Sequence, residues 1–390
     1  MIERTIAPIL TRLSAQYPVL TITGPRQSGK TTLCRAAFPE KRYVNLESPD
    51  TRQFALNDPR GFLAQFPDGA ILDEIQRAPH LLSYIQPIVD ERNTPAQYIL
   101  TGSQQFEVAD TVNQSLAGRT ALLKLLPLSI SELKSAYPIP SIDRLLLTGF
   151  YPRIHDQGLD PTQALGDYFE TYVERDIRQL LAIKDLNLFE KFVKLCAGRI
   201  GQVLNLQSLG NDVGISHTTA RSWLTLLEAS YVIFVLQPWH NNFSKRQIKS
   251  PKLYFYDVGL ASYLLGLEKE LHVSRDPLRG NLFENLVVIE ALKYRFNRGK
   301  RNNLHFYRDA KGNEVDLLVD IGPHVFPLEI KAGATISEDY FKGLRSFAGN
   351  GAPLPLGTGL VYGGEEMQSR SGIRIYPATG IHELLDSLEG

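Results

Sequence analysis

The segment Gly24-Pro25-Arg26-Gln27-Ser28-Gly29-Lys30-Thr31 constrains the fold of this chain more than any other part of its sequence. It fits the pattern G-x-x-x-x-G-K-[ST] and lies between a β-rich run, Val19 to Thr23, and a helical pattern. Glycines in such a loop allow backbone N–H groups to curl around phosphate oxygens, and the helix that follows adds the positive end of its dipole. The pattern predicts a phosphate-binding loop between a strand and a helix, and therefore an α/β fold.

The chemistry of this loop predicts ATP and Mg²⁺ as ligands. We expect Lys30 to reach the β- and γ-phosphates and the Thr31 hydroxyl to hold Mg²⁺. The residues expected to contact the nucleotide are Gly24, Pro25, Arg26, Gln27, Ser28, Gly29, Lys30, Thr31 and Thr32.

Polar residues follow two later strand patterns. Ala70-Ile71-Leu72 ends in Asp73 and Glu74, and Tyr98-Ile99-Leu100 ends in Thr101-Gly102-Ser103. We expect Asp73 to bind the Mg²⁺ shell, Glu74 to polarise the attacking water and Ser103 to orient that water. Phosphoryl transfer depends on positioning and charge neutralisation, and these residues supply both.

Arg119 follows the third of these strands and a helical stretch. An arginine at this place could complete the nucleotide site of a neighbouring subunit, as trans-acting arginine fingers do. The alternative is a solvated arginine or a local ion pair, and the sequence leaves both open.

Strand and helix patterns alternate from residue 19 to about 133, which favours a parallel sheet covered by helices. At 390 residues the chain exceeds one ordinary core, so we expect two or three domains. Its 42 basic and 42 acidic residues exclude a polycationic coat, so any contact with DNA must use local patches. The charged N-terminus and short apolar runs predict a cytoplasmic protein with no membrane contact.

Several motifs together resemble a family of bacterial and archaeal AAA-type ATPases. They are the glycine–lysine loop, Leu72 to Gln76, Leu100 to Ser103, Leu116 to Arg119, Leu126 to Leu128, Tyr168 to Ile177 and Lys252 to Leu260. Members carry a C-terminal domain of unknown function, and the likeness covers nearly the whole chain. The resemblance implies a AAA-type core that works as a homo-oligomer with ATP between subunits.

The segment from Leu206 to Leu227 predicts a helix-turn-helix. Gly214 suits the tight turn, Ser216 can cap the second helix, and an apolar stripe that includes Trp223 recurs at helical spacing. His217, Thr218 and Arg221 would then lie on the outer face, where a recognition helix meets DNA. Lys245, Arg246 and Lys249 add a basic connector that could form the wing with Tyr231 to Leu236. The alternative is a packing or oligomer-contact domain, because few phosphate contacts are available.

A carboxylate–lysine set lies near the C-terminus. Asp316 is on one predicted strand, and Glu329 and Lys331 share a face of the next because their spacing is two. Together with Glu284 on an upstream helix, this set resembles the PD-(D/E)xK nuclease fold. That resemblance implies Asp316, Glu329 and Lys331 as catalytic residues and Glu284, Asp316 and Glu329 as Mg²⁺ ligands. A binding or assembly domain with an ion-paired surface is the alternative.

The sequence thus predicts an α/β protein of five parts. These are an ATPase core (1–137), a helical lid (138–198), a winged-helix domain with its wing (199–250), a connector (251–274) and a nuclease-like domain (275–390). The favoured function is ATP-driven work on DNA. The rival is an ATP-dependent switch or assembly protein whose other domains bind protein partners. A small-molecule kinase is a third interpretation, but no acceptor site is evident.

Overall fold

The computed structural model describes residues 2–103, 116–172, 185–239, 250–309, 311–349 and 356–389. The chain forms two compact units. Unit 1 comprises residues 1–128 with the short segments 229–231 and 296–300, and unit 2 comprises the remaining residues from 129 onwards. Helix α6, described below, therefore belongs to unit 2 although the predicted ATPase core extends to residue 137.

Unit 1 is built on a five-stranded parallel sheet in the order β2-β3-β4-β1-β5. The strands are β1 (Val19–Thr23), β2 (Arg42–Asn45), β3 (Ala70–Asp73), β4 (Tyr98–Gly102) and β5 (Thr120–Lys124). The helices are α1 (Ala7–Ser14), α2 (Lys30–Ala37), α3 (Pro49–Asn57), α4 (Pro59–Ala64) and α5 (Leu81–Arg92). The predicted parallel sheet is confirmed.

Alternation along the strands divides the core of unit 1 between the two faces of the sheet. Val19, Leu72 and Leu100 pack into one apolar cluster, and Ile22 and Ile71 pack into the other. Both faces are covered, so the strands are apolar throughout. Their carboxyl ends meet at one edge, which is where ligands bind in open α/β sheets.

Unit 2 begins with a helical region. Its helices are α6 (Ile130–Ala136), α7 (Ile142–Thr148), α8 (Pro152–Asp156), α9 (Pro161–Tyr168), α10 (Leu186–Ala197), α11 (Leu206–Val213) and α12 (His217–Ala229). Helix α6 has a capping box: the Ser129 hydroxyl accepts from the Glu132 N–H, and the Glu132 carboxylate accepts from the Ser129 N–H. None of the helices that the structure describes is long and apolar enough to span a bilayer.

A two-stranded antiparallel hairpin follows α12. Strand β6 (Ile233–Leu236) pairs with β7 (Lys252–Phe255), with Ile233 opposite Phe255. Strand β7 begins at Lys252, just beyond the predicted winged-helix domain, which ends at residue 250, and the domain boundaries stay a prediction.

The rest of unit 2 carries a six-stranded mixed sheet in the order β12-β13-β11-β10-β9-β8. The strands are β8 (Leu304–Arg308), β9 (Glu314–Ile321), β10 (His324–Lys331), β11 (Thr358–Tyr362), β12 (Gln368–Arg370) and β13 (Ile373–Pro377). The helices are α13 (Val258–Leu264), α14 (Glu270–Arg275), α15 (Arg279–Asn297), α16 (Lys342–Ala348) and α17 (Ile381–Glu389). Strands β8, β9 and β10 form an antiparallel meander, and β11 pairs parallel to β10.

Candidate functional site

The phosphate-binding loop lies between β1 and α2, as predicted. Gly24 packs so closely on the chain after β5 that an added Cβ would lie 2.0 Å from the main-chain oxygen of Leu125. Gly29, at the start of α2, has a φ of +91°, which is in the left-handed region that glycine adopts without strain. Both glycines of the motif are therefore required by the backbone path.

The first residues of α2 place the two side chains that the motif predicts to bind phosphate and metal. The Lys30 ammonium donates to the main-chain oxygens of Gly24 (2.9 Å) and Pro25 (2.8 Å). Burial lowers the pKa of Lys30. The Thr31 hydroxyl donates to the Asp73 carboxylate at 3.0 Å. The structure thus brings Thr31 and Asp73 together at the carboxyl end of the sheet.

Two further hydroxyl groups hold Asp73, and sequence reasoning assigned neither of them a role. Tyr43 on β2 donates to Asp73 Oδ2 at 2.6 Å, and Thr101 on β4 donates to Asp73 Oδ1. Burial and the bond to Asp73 raise the pKa of Tyr43, so the phenol stays protonated and remains a donor. These bonds orient Asp73 and, with Thr31, define how its two oxygens point. Tyr43 is the second residue of β2, the edge strand beside β3, and no local pattern in the sequence indicates its contact with Asp73.

Glu74 and Ser103, predicted to act on the attacking water, also lie together. Glu74 has a φ of +59°, a conformation that is unusual for a residue other than glycine. Its Oε2 accepts from the Ser103 hydroxyl at 3.0 Å and from the Gln76 amide. Gln76 Nε2 also donates to Ser103 Oγ at 3.0 Å. Gln76 is thus a further member of this network.

The other charged residues predicted for this site make ion pairs in unit 1. Arg26 of the loop pairs with Glu47, just after β2, at 2.5 Å. Arg119 pairs with Asp90 on α5, with 2.9 Å between Nη2 and Oδ2. This is the local alternative weighed for Arg119, and the trans role stays a prediction.

In unit 2 the predicted residues lie close together. Asp316 is on β9, and Glu329 and Lys331 are on the neighbouring strand β10. Lys331 Nζ lies 3.0 Å from Asp316 Oδ2 and 2.6 Å from Glu329 Oε1. Asp316 Oδ2 also accepts the Ile330 N–H at 2.9 Å. Burial and the neighbouring charge of Asp316 raise the pKa of Glu329 to about 8, although Lys331 opposes the rise. Glu329 Oε2 is buried and has no hydrogen-bond donor among the described residues.

Glu284 lies on α15, as predicted, but its partners differ from those expected. Lys252 of β7 donates to Glu284 Oε1 at 2.8 Å, and Tyr254 donates to the same oxygen at 2.5 Å. Lys252 also pairs with Glu314 at 2.5 Å, and its side chain is only 2% exposed. Burial raises the pKa of Glu284 to about 7, with Lys252 opposing the rise.

The roles of Glu284, Asp316 and Glu329 as Mg²⁺ ligands stay a prediction. Within the described ranges, no group of three or more His, Cys, Asp or Glu side chains could hold a metal ion. The Lys252 ammonium donates to Glu284 and would compete with a metal ion for this carboxylate. Sequence reasoning missed Lys252 because it lies on the hairpin, distant in sequence from the residues that it contacts.

The predicted helix-turn-helix elements are present as α11 and α12. The turn between them contains Gly214 at a φ of +95°, and the Ser216 hydroxyl accepts from the Thr219 N–H at 3.1 Å at the start of α12. Trp223 is in the buried stripe, whereas Thr218 and Arg221 are exposed and His217 is half-buried. Lys245, Arg246 and Lys249 lie outside the described residues. The assignment of this region as a DNA-binding winged helix stays a prediction.

Comparisons with known proteins give matches to both units of the chain. Three family models match the chain: an AAA domain over residues 16–134, a domain of unknown function (DUF8612) over 139–271, and a domain of unknown function (DUF4143) over 279–381. Uncharacterized protein Rv2008c of Mycobacterium tuberculosis is 32% identical over 340 residues, which are 86% of this chain and 75% of that protein. Uncharacterized protein Mb2031c of Mycobacterium bovis matches to the same extent. Among solved structures, the Walker-type ATPase PABY2304 of Pyrococcus abyssi is similar at 16% identity and a TM-score of 0.45, over 68% of this chain and 96% of that one.

The phosphate-binding loop, the parallel sheet and the AAA-domain match define an ATPase of the AAA, P-loop type. The chain belongs to the protein family of Rv2008c and Mb2031c.

Proposed function

We propose that this protein uses ATP to act on DNA, with the C-terminal carboxylate–lysine set as a Mg²⁺-dependent phosphodiester site. Unit 1 supplies the ATPase parts. Thr31 and Asp73 would hold Mg²⁺, Lys30 would bind the β- and γ-phosphates, and Glu74 would accept a proton from the attacking water. Mg²⁺, when bound, neutralises charge on the phosphates.

The observation that carries the C-terminal part of the proposal is the arrangement of Asp316, Glu329 and Lys331. A buried carboxylate oxygen with no donor is costly unless a cation or a proton occupies it, and Glu329 Oε2 is such an atom among the described residues. Gly343 lies against this oxygen, because a Cβ added at Gly343 would lie 3.1 Å from Glu329 Oε2 and 2.3 Å from the main-chain oxygen of Glu314. Mg²⁺ commonly uses one or two protein carboxylates and keeps several waters, so Asp316 and Glu329 fit this ion.

The roles follow from the contacts. Asp316 and Glu329 would hold Mg²⁺ at the phosphate, and Lys331 would steady the charge that develops on the phosphodiester. Burial opposes the charge of Lys331, but Asp316 and Glu329 outweigh burial and hold its pKa above its ordinary value. Lys331 is therefore a fixed cation rather than a base. The presence of a long helix, α15, and a mixed sheet in the same unit supports the nuclease-like interpretation.

The cleavage test compares wild type with Lys331→Ala on single-stranded, duplex and branched DNA in the presence of Mg²⁺ or Mn²⁺. We expect wild type to cut at least one form and Lys331→Ala to lose cleavage while ATP turnover remains. Lys342→Ala is the matched control, because this lysine is 75% exposed and its ion pair with Asp339 lies on the surface. If wild type cuts none of the three forms with either metal, the cleavage proposal is wrong.

The rival function rests on a different observation in the same region. Lys252 and Lys331 together pair with four carboxylates, so the protein's own cations compensate much of this cluster. An internally compensated cluster suits an assembly or switch domain that binds a protein partner. Loss of cleavage in every condition, together with unchanged ATP turnover, would favour this rival.

DNA binding through α12 and the basic connector is tested separately. Arg221→Ala combined with Lys245→Ala and Lys249→Ala is expected to weaken DNA binding and to flatten its salt dependence, because each lost phosphate contact reduces the slope. Unchanged affinity at two salt concentrations would remove the assignment.

The trans role of Arg119 predicts rescue in mixed oligomers. Arg119→Ala protein mixed with Lys30→Ala protein should regain turnover, because one subunit supplies the loop and the other supplies the arginine. Asp90→Ala, which releases Arg119 from its local pair, is the matched control and should not lose turnover by itself. If mixing does not restore turnover, the trans role of Arg119 is wrong and its ion pair with Asp90 is its only assigned interaction.

A further inference from the structure

Arg4 precedes α1, and no motif in the sequence marks it. Its side chain is nevertheless buried, at 8% exposure, and reaches the phosphate-binding loop. One guanidinium nitrogen, Nη1, donates to the main-chain oxygen of Ser28 at 2.6 Å. The other, Nη2, donates to the main-chain oxygen of Leu126 at 2.7 Å. The first acceptor belongs to the loop and the second lies just after β5.

We propose that Arg4 is a positioning residue of the nucleotide site, which holds the phosphate-binding loop in the shape that binds the phosphates of ATP.

The position of Arg4 is itself well defined. The Ala7 N–H donates to the Arg4 carbonyl at 3.0 Å, which starts the turn into α1. Ile6 within that turn and Leu10 on α1 are buried in one of the two apolar clusters of unit 1. The backbone that carries Arg4 is therefore fixed by core packing, and its guanidinium needs little reorganisation to hold both oxygens.

The two acceptors show what Arg4 holds together. At its beginning, the loop touches the chain after β5 directly, because Gly24 packs on the Leu125 oxygen. At its end, the loop reaches the same short segment through Arg4, which bridges Ser28 to Leu126. The loop is thus attached at both ends to residues 125–126. Loss of the guanidinium would free the end that contains Ser28 and Gly29.

The geometry of the peptide bond links this contact to phosphate binding. The described chain has no cis peptide bond, so the Ser28 carbonyl and the Gly29 N–H point in opposite directions. Arg4 lies on the carbonyl side, and the Gly29 N–H is therefore directed away from Arg4. The guanidinium both fixes this peptide plane and polarises it, which strengthens the N–H as a donor to an anion.

The test measures nucleotide affinity and steady-state kinetics for Arg4→Met and Arg4→Lys. Arg4→Met keeps most of the side-chain length and removes both bonds, whereas Arg4→Lys keeps the charge without the planar fork. Arg12→Met on α1 is the matched control, because Arg12 is exposed. We expect the Kd of a fluorescent ATP analogue and the KM for ATP to rise about tenfold in Arg4→Met and less in Arg4→Lys, with kcat nearly unchanged and the control like wild type.

A residue that serves only stability would behave differently. Part of such a preparation would be inactive, so the measured kcat would fall in proportion while KM and Kd stayed at the wild-type values. That result would overturn the proposal, as would a Kd within twofold of wild type for both folded variants. If Arg4→Met does not fold, Arg4→Lys alone decides by the same KM-against-kcat comparison. Wild-type protein that bound no nucleotide would instead contradict the ATPase assignment.

Discussion

Replacing Lys252 by methionine tests whether the hairpin and the C-terminal sheet share one buried charge cluster. The Lys252 ammonium lies 2.8 Å from Glu284 and 2.5 Å from Glu314, and its side chain is 2% exposed. Methionine has similar length and no charge, so the variant leaves Glu284 without its cation, whereas Glu314 keeps its ion pair with Arg308 at 3.3 Å. Removing one partner of a buried ion pair costs about 3–5 kcal/mol, and we expect that loss at pH 8.

The stability loss caused by Lys252→Met should depend on pH, and the pKa of Glu284 determines the direction of that dependence. Its pKa in the folded protein is raised to about 7 from an ordinary value of 4.5. The folded protein binds this proton more tightly than the unfolded chain, so stability falls as pH rises from about 4.5 to about 7. Removal of Lys252 raises this pKa further and extends the fall to higher pH. The destabilisation should therefore be smaller at pH 6, where Glu284 can take up a proton.

The assay is urea unfolding followed by tryptophan fluorescence. Both tryptophans of the chain, Trp223 and Trp239, belong to unit 2, so the signal reports the unit that contains Lys252. A loss of this size lowers the urea midpoint by at least roughly 1 M. Lys342→Met, at an exposed position, should change stability by less than about 0.5 kcal/mol.

Two results would refute this reasoning. One is a free energy of unfolding for Lys252→Met that lies within about 1 kcal/mol of the wild-type value at pH 8, because a loss that small is expected for a surface ion pair. The other concerns the double variant with Glu284→Gln, which removes the uncompensated charge and should recover part of the loss. No recovery would show that lost packing, rather than charge, explains the effect.

Three further predictions concern other parts of the molecule. Tyr43→Phe removes one donor to Asp73 and should lower kcat for ATP roughly tenfold without changing the nucleotide affinity measured without Mg²⁺, because hydrogen bonds to charged groups contribute about 1.5–3 kcal/mol. A kcat equal to that of wild type would contradict the positioning of Asp73 by Tyr43. Cys34 and Cys196, whose pKa burial raises to about 12, should not react with a thiol reagent at pH 8 in the native protein and should react after denaturation, and rapid native labelling would contradict their burial. Asp257→Ala removes the acceptor of the Phe150 N–H and the cap of α13, and should lower the free energy of unfolding of unit 2 by about 2–4 kcal/mol; a change below roughly 1 kcal/mol would be too small for a buried N–H left without its acceptor.

The sequence predicts those parts of the fold and site that depend on local pattern. The loop from Gly24 to Thr31 specifies its strand and helix, and Asp73 follows because strand carboxyl ends meet at one edge of a parallel sheet. Glu329 and Lys331 share a face because their spacing is two, which the structure confirms by their 2.6 Å contact.

The remaining contacts are long-range and have no local signature. Arg4 reaches Leu126 across most of unit 1, and Lys252 reaches Glu314 from a different strand pair. Nothing in the pattern around either residue indicates its partner, because periodicity reports which face is buried and not what covers it. The contact between Glu284 and Lys252 could likewise be identified only from the folded chain.

The most direct test of the proposed function is the steady-state rate of ATP hydrolysis by the purified protein, alone and with single-stranded, duplex or branched DNA. Lys30→Ala, which lacks the phosphate-binding ammonium, measures the background. We predict that at least one form of DNA raises the wild-type rate several-fold above the DNA-free rate. A rate that is well above background and equal in all four conditions would contradict ATP-driven work on DNA and would favour the protein-binding switch.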